Sequence, residues 1–201
     1  MPKRKKKHQN TPASDVVSED DVLLRATAPL QLCYYGNPVL RKRAKPVTEI
    51  TEAERQLADQ MLETLYNTGN GIGLAATQVG ILKRLIIIDI GEDDDETYEP
   101  LVLFNPEILS VEGEVVADEG CLSIPNVTAE VRRPEKIVVE GIDIQGEPVH
   151  IETDGLLARV LQHEIDHLNG VLFIDRISGL KRQLLKDELL WIQQAEHPLD
   201  T

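Results

Sequence analysis

Aromatic side chains are scarce in this sequence: one Trp, four Tyr and two Phe. Any core built from it is therefore aliphatic. Cysteine is scarcer still, with only Cys33 and Cys121. That excludes a disulfide framework and leads us to expect a reducing, cytoplasmic setting. No window offers the ~18 consecutive apolar residues of a membrane helix, so no membrane partner is expected. No apolar run follows the charged start Lys3-Arg4-Lys5-Lys6-Lys7, so that start does not read as a secretory signal. The dinucleotide fingerprint is missing as well, because Gly71-Ile72-Gly73 is followed at the third place by Ala76. Basic residues number 21 against 35 acidic ones, a formal net charge of −14. Five of those basic residues fall in the first ten positions. The remaining body is more acidic than the whole and does not suit specific DNA, whose affinity comes from cations on phosphates.

What is there is the composition of a globular protein, 41% hydrophobic and 28% charged over 201 residues. Residues 1–30 read as a disordered or extended tail, basic at first and then acidic at Asp15, Glu19, Asp20 and Asp21. A solvated extension is the plain reading of that tail; ribosomal RNA and an acidic membrane surface are the alternatives. Thr51-Glu52-Ala53-Glu54 reads as a capping box opening a helix to about residue 67, with Leu57, Met61, Leu62 and Leu65 at helical spacing. Residues 67–73 hold three glycines and predict a turn. Strands are predicted at 85–88, 101–104, 108–116, 127–132, 136–144 and 149–152, with an acidic loop over 91–99. Such short spacing implies antiparallel pairing. Asp154 is placed to cap a helix running through Leu157, Leu161 and Ile165 to Leu168, and a last amphipathic helix is predicted from Gly179 onward. The expected class is α+β, with antiparallel sheets packed around a central metal-binding helix and a C-terminal helix appended. The expected division is tail 1–30, catalytic domain 31–178, and C-terminal helix and end 179–201.

The sharpest pattern is Gln162-His163-Glu164-Ile165-Asp166-His167. Helical positions four apart differ by about 40° in azimuth and ~6 Å in rise, so His163 and His167 share one stripe and can hold one metal ion. Glu164 stands beside them, placed to take a proton from water. Two histidines and a glutamate buried on such an apolar helix without a partner would cost several kcal/mol. A catalytic metal wants a third protein ligand and a vacancy. Downstream there are only carboxylates and His197 near the chain end. Upstream, Glu119-Gly120-Cys121-Leu122-Ser123 offers a cysteine beside a glycine that lets the backbone bend around it. Alone, Cys121 reads as an inert thiol; beside the two histidines it reads as the third ligand. Gly71 to Gln78 offers backbone open to close approach and the Gln78 amide, which can donate to an oxyanion.

Taken together, Gly71-Ile72-Gly73-Leu74-Ala75-Ala76-Thr77-Gln78, Glu119-Gly120-Cys121-Leu122-Ser123 and Gln162-His163-Glu164-Ile165-Asp166-His167-Leu168 resemble the three motifs of the peptide deformylase family, in order and approximate spacing. Val39-Leu40-Arg41-Lys42 with Pro46-Val47 resembles that family's N-terminal segment. The resemblance covers about residues 31–178. It implies a hydrolase that removes the formyl group from the formyl-methionine of newly made polypeptides. Cys121, His163 and His167 would hold one divalent ion, Fe(II) by preference, with Zn(II), Ni(II) or Co(II) as alternatives. The reaction implied is metal-hydroxide attack with Glu164 as general base, the oxyanion being met by Gln78 and the Leu122 backbone N–H. Gly71, Ile72 and Gly73 would pair with the substrate backbone, and Ile72, Leu122, Leu156 and Val160 would line the methionine pocket. Glu119, Arg133 and Asp166 are implied as supports of the ligands, with Glu119 expected to pair with Arg133.

The sequence departs from that pattern in its long N-terminal extension, its acidic 91–99 stretch, and the lack of a basic residue over 126–129. Arg159 is expected at the pocket rim with its stem packed and its head in water. Two rival readings stand beside the deformylase one. A zincin-type endopeptidase would use the two histidines and a downstream carboxylate, leaving Cys121 idle. A non-catalytic protein would carry a structural metal. Transient ribosome contact is a further expectation, through the basic tail or through Lys181, Arg182 and Lys186.

Overall fold

The computed structural model describes residues 29–91 and 99–195. Residues 1–28 of the expected tail, residues 92–98 of the acidic loop, and Glu196 and His197 lie outside the described residues. Along the chain come helix α1 (Glu52–Asn67), strand β1 (Gly73–Ala75), a 3-10 turn (Ala76–Val79), β2 (Leu85–Ile88), β3 (Leu101–Glu112), β4 (Val115–Cys121), β5 (Ile124–Arg133), β6 (Lys136–Ile142), β7 (Pro148–Thr153), α2 (Gly155–Leu168), α3 (Gly179–Leu184) and α4 (Lys186–Ala195). Five strands form one antiparallel sheet in the order β1-β2-β3-β6-β7, and β4 with β5 forms a separate antiparallel pair. The α+β class with antiparallel sheets around a central helix is the architecture observed.

The run Leu85-Ile86-Ile87-Ile88 is apolar at every position because β2 is covered on both faces. Side chains alternate across a strand. Ile86 and Ile88 accordingly pack with Val160, Leu161, Ile165 and Leu168 of α2. Leu85 and Ile87 pack with Leu57, Ala58, Met61 and Leu65 of α1. Every residue of α2 from Val160 to Leu168 is buried, which makes it the central helix. Truncating a fully buried leucine here, Leu161 or Leu65, costs ~2–5 kcal/mol through lost burial and the cavity left behind. A third cluster joins Ile124, Val127 and Val131 of β5 to Phe173, Leu189 and Ile192, and so docks the C-terminal segment onto the β4–β5 pair.

Helix α1 opens as its capping pattern predicts: the Thr51 N–H donates to the Glu54 carboxylate at 3.2 Å. Other expectations are corrected. Asp154 precedes α2, but its side chain makes no capping hydrogen bond; only its backbone carbonyl serves, accepting from the Ala158 N–H at 3.4 Å. The strand expected at 101–104 and the 108–112 part of the one expected at 108–116 are a single strand, β3, which runs through Asn105-Pro106 because register shifts against β6 absorb the proline; the rest of the latter breaks at Gly113-Glu114, and Val115-Val116 open β4. Outside the expected strands lie β1, inside the glycine-bearing segment, and the run of β4 from Ala117 to Cys121. The C-terminal helix is two helices with Leu185 between them. Leu189 and Ile192 dock on the β5 cluster while Leu180 and Leu184 stay exposed, so the two halves follow different surfaces.

Candidate metal centre

Helix α2 presents His163, Glu164 and His167 from its buried middle. The spacing brings the two imidazoles together, with Nε2 facing Nε2 at 3.2 Å. Cys121 arrives from the end of β4, its Sγ 3.2 Å from His167 Nε2. The ligand atoms of Cys121, His163 and His167 all lie within 4.8 Å of one another. The ladder explains the approach of the sulfur. Gly120 pairs with Thr128 while Cys121 pairs with Ile124, so Pro125, Asn126 and Val127 form a bulge that turns the strand end toward the helix. Asn126 takes a left-handed φ of 62° there, a conformation asparagine tolerates.

Glu119 orients the first histidine. Its Oε2 faces His163 Nδ1 at 3.0 Å. An ionised carboxylate only accepts, so Nδ1 carries the hydrogen and the Nε2 lone pair points to the centre. Arg133 clamps both Glu119 oxygens at 2.5 and 2.8 Å and reaches Asp166 with a third nitrogen at 2.8 Å. The expected Glu119–Arg133 pair is thus present, and Asp166 joins it. Burial pushes the Glu119 carboxyl up, but Arg133 and His163 outweigh it and hold it at about 2. Two cations were not foreseen in this network. Arg176 donates to both oxygens of Asp166. The Arg159 head is not in water: it donates to Glu119 Oε1 at 2.6 Å, to the Val131 carbonyl at 3.1 Å and to the Val115 carbonyl at 3.1 Å. Arg159 lies one helical turn before His163, the spacing that sets two side chains on one face, and that was the legible signal. Arg176 carried no such signal.

The third segment closes the site. Gln78 Oε1 is tied to the Ala75 N–H at 2.8 Å, which aims Nε2 at Ser123 Oγ (3.3 Å) and Cys121 Sγ (3.6 Å). Thr77, also unforeseen, donates to the His167 carbonyl at 3.2 Å. Gly73 is required by close approach: a Cβ there would lie 2.6 Å from Glu164 Oε1 and 2.9 Å from Val160 Cγ1. One cavity of about 520 Å³ takes in Gly71, Ile72, Gly73 and Gln78 on one wall and Glu119, Cys121 and Leu122 on another. Leu156, Arg159, Val160, His163 and Glu164 form its helical wall. His167, Asp166 and Arg133 stand behind it rather than on its surface.

The residues fit a divalent cation. Two ring nitrogens and a sulfur converge as electron-pair donors, and two imidazolium groups at this separation would repel. Burial lowers the proton affinity of His163, but hydrogen bonds to Cys121 and Glu119 raise it overall. Burial and the charge on His163 push His167 well down. Among the described residues, Glu164 Oε2 and His167 Nδ1 are buried without a hydrogen-bond partner, and burial pushes the Glu164 carboxyl up to about 7. A mixed imidazole and thiolate set is the donor chemistry of several first-row ions.

Residues 29–183 match the polypeptide deformylase family. The chain is 50% identical over 157 residues to the peptide deformylase of Thermodesulfovibrio yellowstonii, covering 78% of this chain and 94% of that protein. It is 53% identical over 150 residues to that of Rhizobium meliloti, covering 74% of this chain and 85% of that protein. Among solved structures, a peptide deformylase from Legionella pneumophila superposes with a TM-score of 0.76 at 42% identity, covering 85% of this chain and 99% of that one. The Synechococcus elongatus peptide deformylase, solved in complex with actinonin, does so with a TM-score of 0.71 at 46% identity, covering 83% and 85%. With the three-ligand cluster set between a helix and a bulged hairpin in a fold that these proteins share, this chain belongs to the polypeptide deformylase family.

Proposed function

We propose that this protein hydrolyses the formamide of N-formylmethionyl peptides, releasing formate and a free amino terminus. The observation that carries the reading is the convergence of Cys121, His163 and His167 within 4.8 Å beside the unpartnered buried oxygen of Glu164. When bound, a divalent ion supplies Lewis acidity that polarises the formyl oxygen and makes water a nucleophile near neutral pH. Glu164 takes the proton as the water oxygen bonds to the formyl carbon. It returns that proton to the amine nitrogen as the carbon–nitrogen bond breaks. Gln78 Nε2 and the Leu122 N–H face the developing oxyanion; the support for Gln78 is its fixed amide, tied through the Ala75 N–H.

Substrate placement follows the same walls. β1, which begins at Gly73, is the edge strand of its sheet, and Gly71 and Ile72 lead into it along the cavity wall, which supports reading Gly71 to Gly73 as the edge an extended peptide pairs with. Ile72, Leu122, Leu156 and Val160 line that cavity, and Ile72 and Leu156 are exposed in it. A methionine side chain covering them gains ~1.5–3 kcal/mol. The cavity is lined by residues between Asn70 and Glu164, which supports assigning the chemistry to 31–178, with 1–30 and 179–201 as appendages. We take Fe(II) as the preferred ion, with Zn(II), Ni(II) or Co(II) as substitutes, because thiolate and imidazole suit all four. We place the reaction in the cytoplasm, where a thiol ligand stays reduced; neither cysteine is in a disulfide. No described helix is long and apolar enough to cross a membrane. Transient ribosome contact remains part of the reading, supported by the exposed Leu180, Leu184 and Trp191 on the C-terminal helices. The test is anaerobic incubation of the Fe(II) form with formyl-Met-Ala-Ser, reading formate and internal cleavage separately. Formate alone supports the proposal; internal cleavage alone would assign the site to a protease.

A further inference from the structure

The bulge at Pro125, Asn126 and Val127 is a wall with two sides. One side belongs to the catalytic cavity. On the other side lies a second hollow of about 350 Å³, closed by Asp187, Glu188, Trp191 and Ile192 of α4. The three bulge residues line both. A cavity of about 520 Å³ is the size that encloses a drug-sized ligand, equivalent to a few residues of peptide. A polypeptide longer than that must leave across one of the walls.

The far hollow has a definite chemistry. Trp191, the sole tryptophan of the chain, is 66% exposed, whereas Ile192 beside it is buried. Asp187 and Glu188 make no ion pair among the described residues: Lys181 is engaged with Glu130 and Arg182 with Asp175, and Lys186, next in the chain, pairs with neither carboxylate. An indole face beside two carboxylates without an ion-pair partner, over an apolar floor, suits a long aliphatic stem ending in a cation. We propose that this hollow is a subsite for substrate residues beyond the third, and that it selects lysine or arginine there. The proposal rests on the deformylase reading and extends it from formyl-methionine to the downstream polypeptide.

The test compares kcat/KM of the metal-loaded full chain for formyl-Met-Ala-Ser, formyl-Met-Ala-Ser-Lys-Lys and formyl-Met-Ala-Ser-Glu-Glu, by formate release. The lysine extension raises kcat/KM over the tripeptide about three- to tenfold, and the glutamate extension lowers it. In Asp187→Asn/Glu188→Gln, and separately in Trp191→Ala, the ratio of lysine-extended peptide to tripeptide falls toward one. Raising salt shrinks the wild-type ratio as well. Equal values for the three peptides in the wild type, or a ratio undiminished in both variants, overturns the subsite and leaves the deformylase reading standing. No formate from any of the three overturns the deformylase reading itself. A wild-type ratio of one, with ribosome co-sedimentation lost in Asp187→Asn/Glu188→Gln, assigns the hollow to the ribosome and overturns the proposal.

Discussion

Arg159 and Arg133 grip the same oxygen of Glu119, at 2.6 and 2.5 Å. Arg133 comes from the end of β5; Arg159 comes from α2, one turn ahead of the histidine that Glu119 orients. Its other donors hold the carbonyls of Val131 and Val115. One guanidinium therefore ties the hairpin that delivers Cys121 to the helix that delivers the two imidazoles.

Arg159→Leu is expected to lower stability by about 1.5–3 kcal/mol, the value of a hydrogen bond to a charged group. It should also hasten metal loss to a chelator. Arg159→Lys should restore only part of both, because a lysine cannot span three acceptors as a planar fork does. Urea unfolding and chelator competition measure the two effects; metal loss at the wild-type rate in Arg159→Leu would refute the tie.

Cys121→Ala should reduce bound metal from one ion per chain to a small fraction, read by elemental analysis after gel filtration. A protease-type site built on the histidines and a downstream carboxylate would keep its ion. Retention of stoichiometric metal would therefore favour that rival.

Glu164→Gln keeps the shape of the side chain and removes its proton transfer. Metal content should stay near that of the wild type while kcat falls ~10²–10⁴-fold. Turnover within a factor of two of the wild type would remove Glu164 from the role of base.

Gly73→Ala puts a methyl group 2.6 Å from Glu164 Oε1 and 2.9 Å from Val160 Cγ1. Crowding of this kind costs about 1–3 kcal/mol. The cost should appear jointly as a lower unfolding midpoint and a lower kcat, since the carboxylate must move. A midpoint equal to the wild type would show that Glu164 and Val160 give way without cost.

Away from the site, Glu54 supplies a pH-dependent contact. Hydrogen bonds from Lys83 and Thr51 hold its carboxyl at about 2, against an ordinary value of 4.5. A lowered carboxyl stabilises the fold fully above the unfolded value, and the gain is lost as pH falls from 4.5 through about 2. Lys83 is 42% exposed at the side chain, so Glu54→Gln should cost only about 0.5–1 kcal/mol at neutral pH. The difference in urea midpoint between wild type and variant should narrow between about pH 6 and about pH 3. A gap that widened on acidification would contradict the assignment.

The parts legible in advance were those with a local cause. The helical repeat of His163 and His167, the apolar run of β2 and the capping pattern at Thr51 each state their structure within a few residues. The family resemblance added what no local rule carried, including the pairing of Glu119 with Arg133. What escaped was set by partners distant in sequence. Past Val115-Val116, β4 runs Ala117-Asp118-Glu119-Gly120-Cys121, which reads as polar and turn-like, and its ladder exists because β5 folds back on it. The head of Arg159 looked free because its three acceptors lie in other strands. The break at Leu185 lies where two helices follow different surfaces, which a continuous amphipathic pattern does not reveal.

The sulfur and the nearer ring nitrogen that face one another across the centre belong to residues 46 positions apart. Two imidazoles on a lone helix make only a fragment of the grip. The full claw closes once hairpin and helix have met, so tight capture of an ion reports a finished tertiary structure. Capture in turn weights the equilibrium toward that structure by mass action. Loading then becomes the last act of maturation, and starvation for the ion would leave a chain that is shaped but easier to unravel.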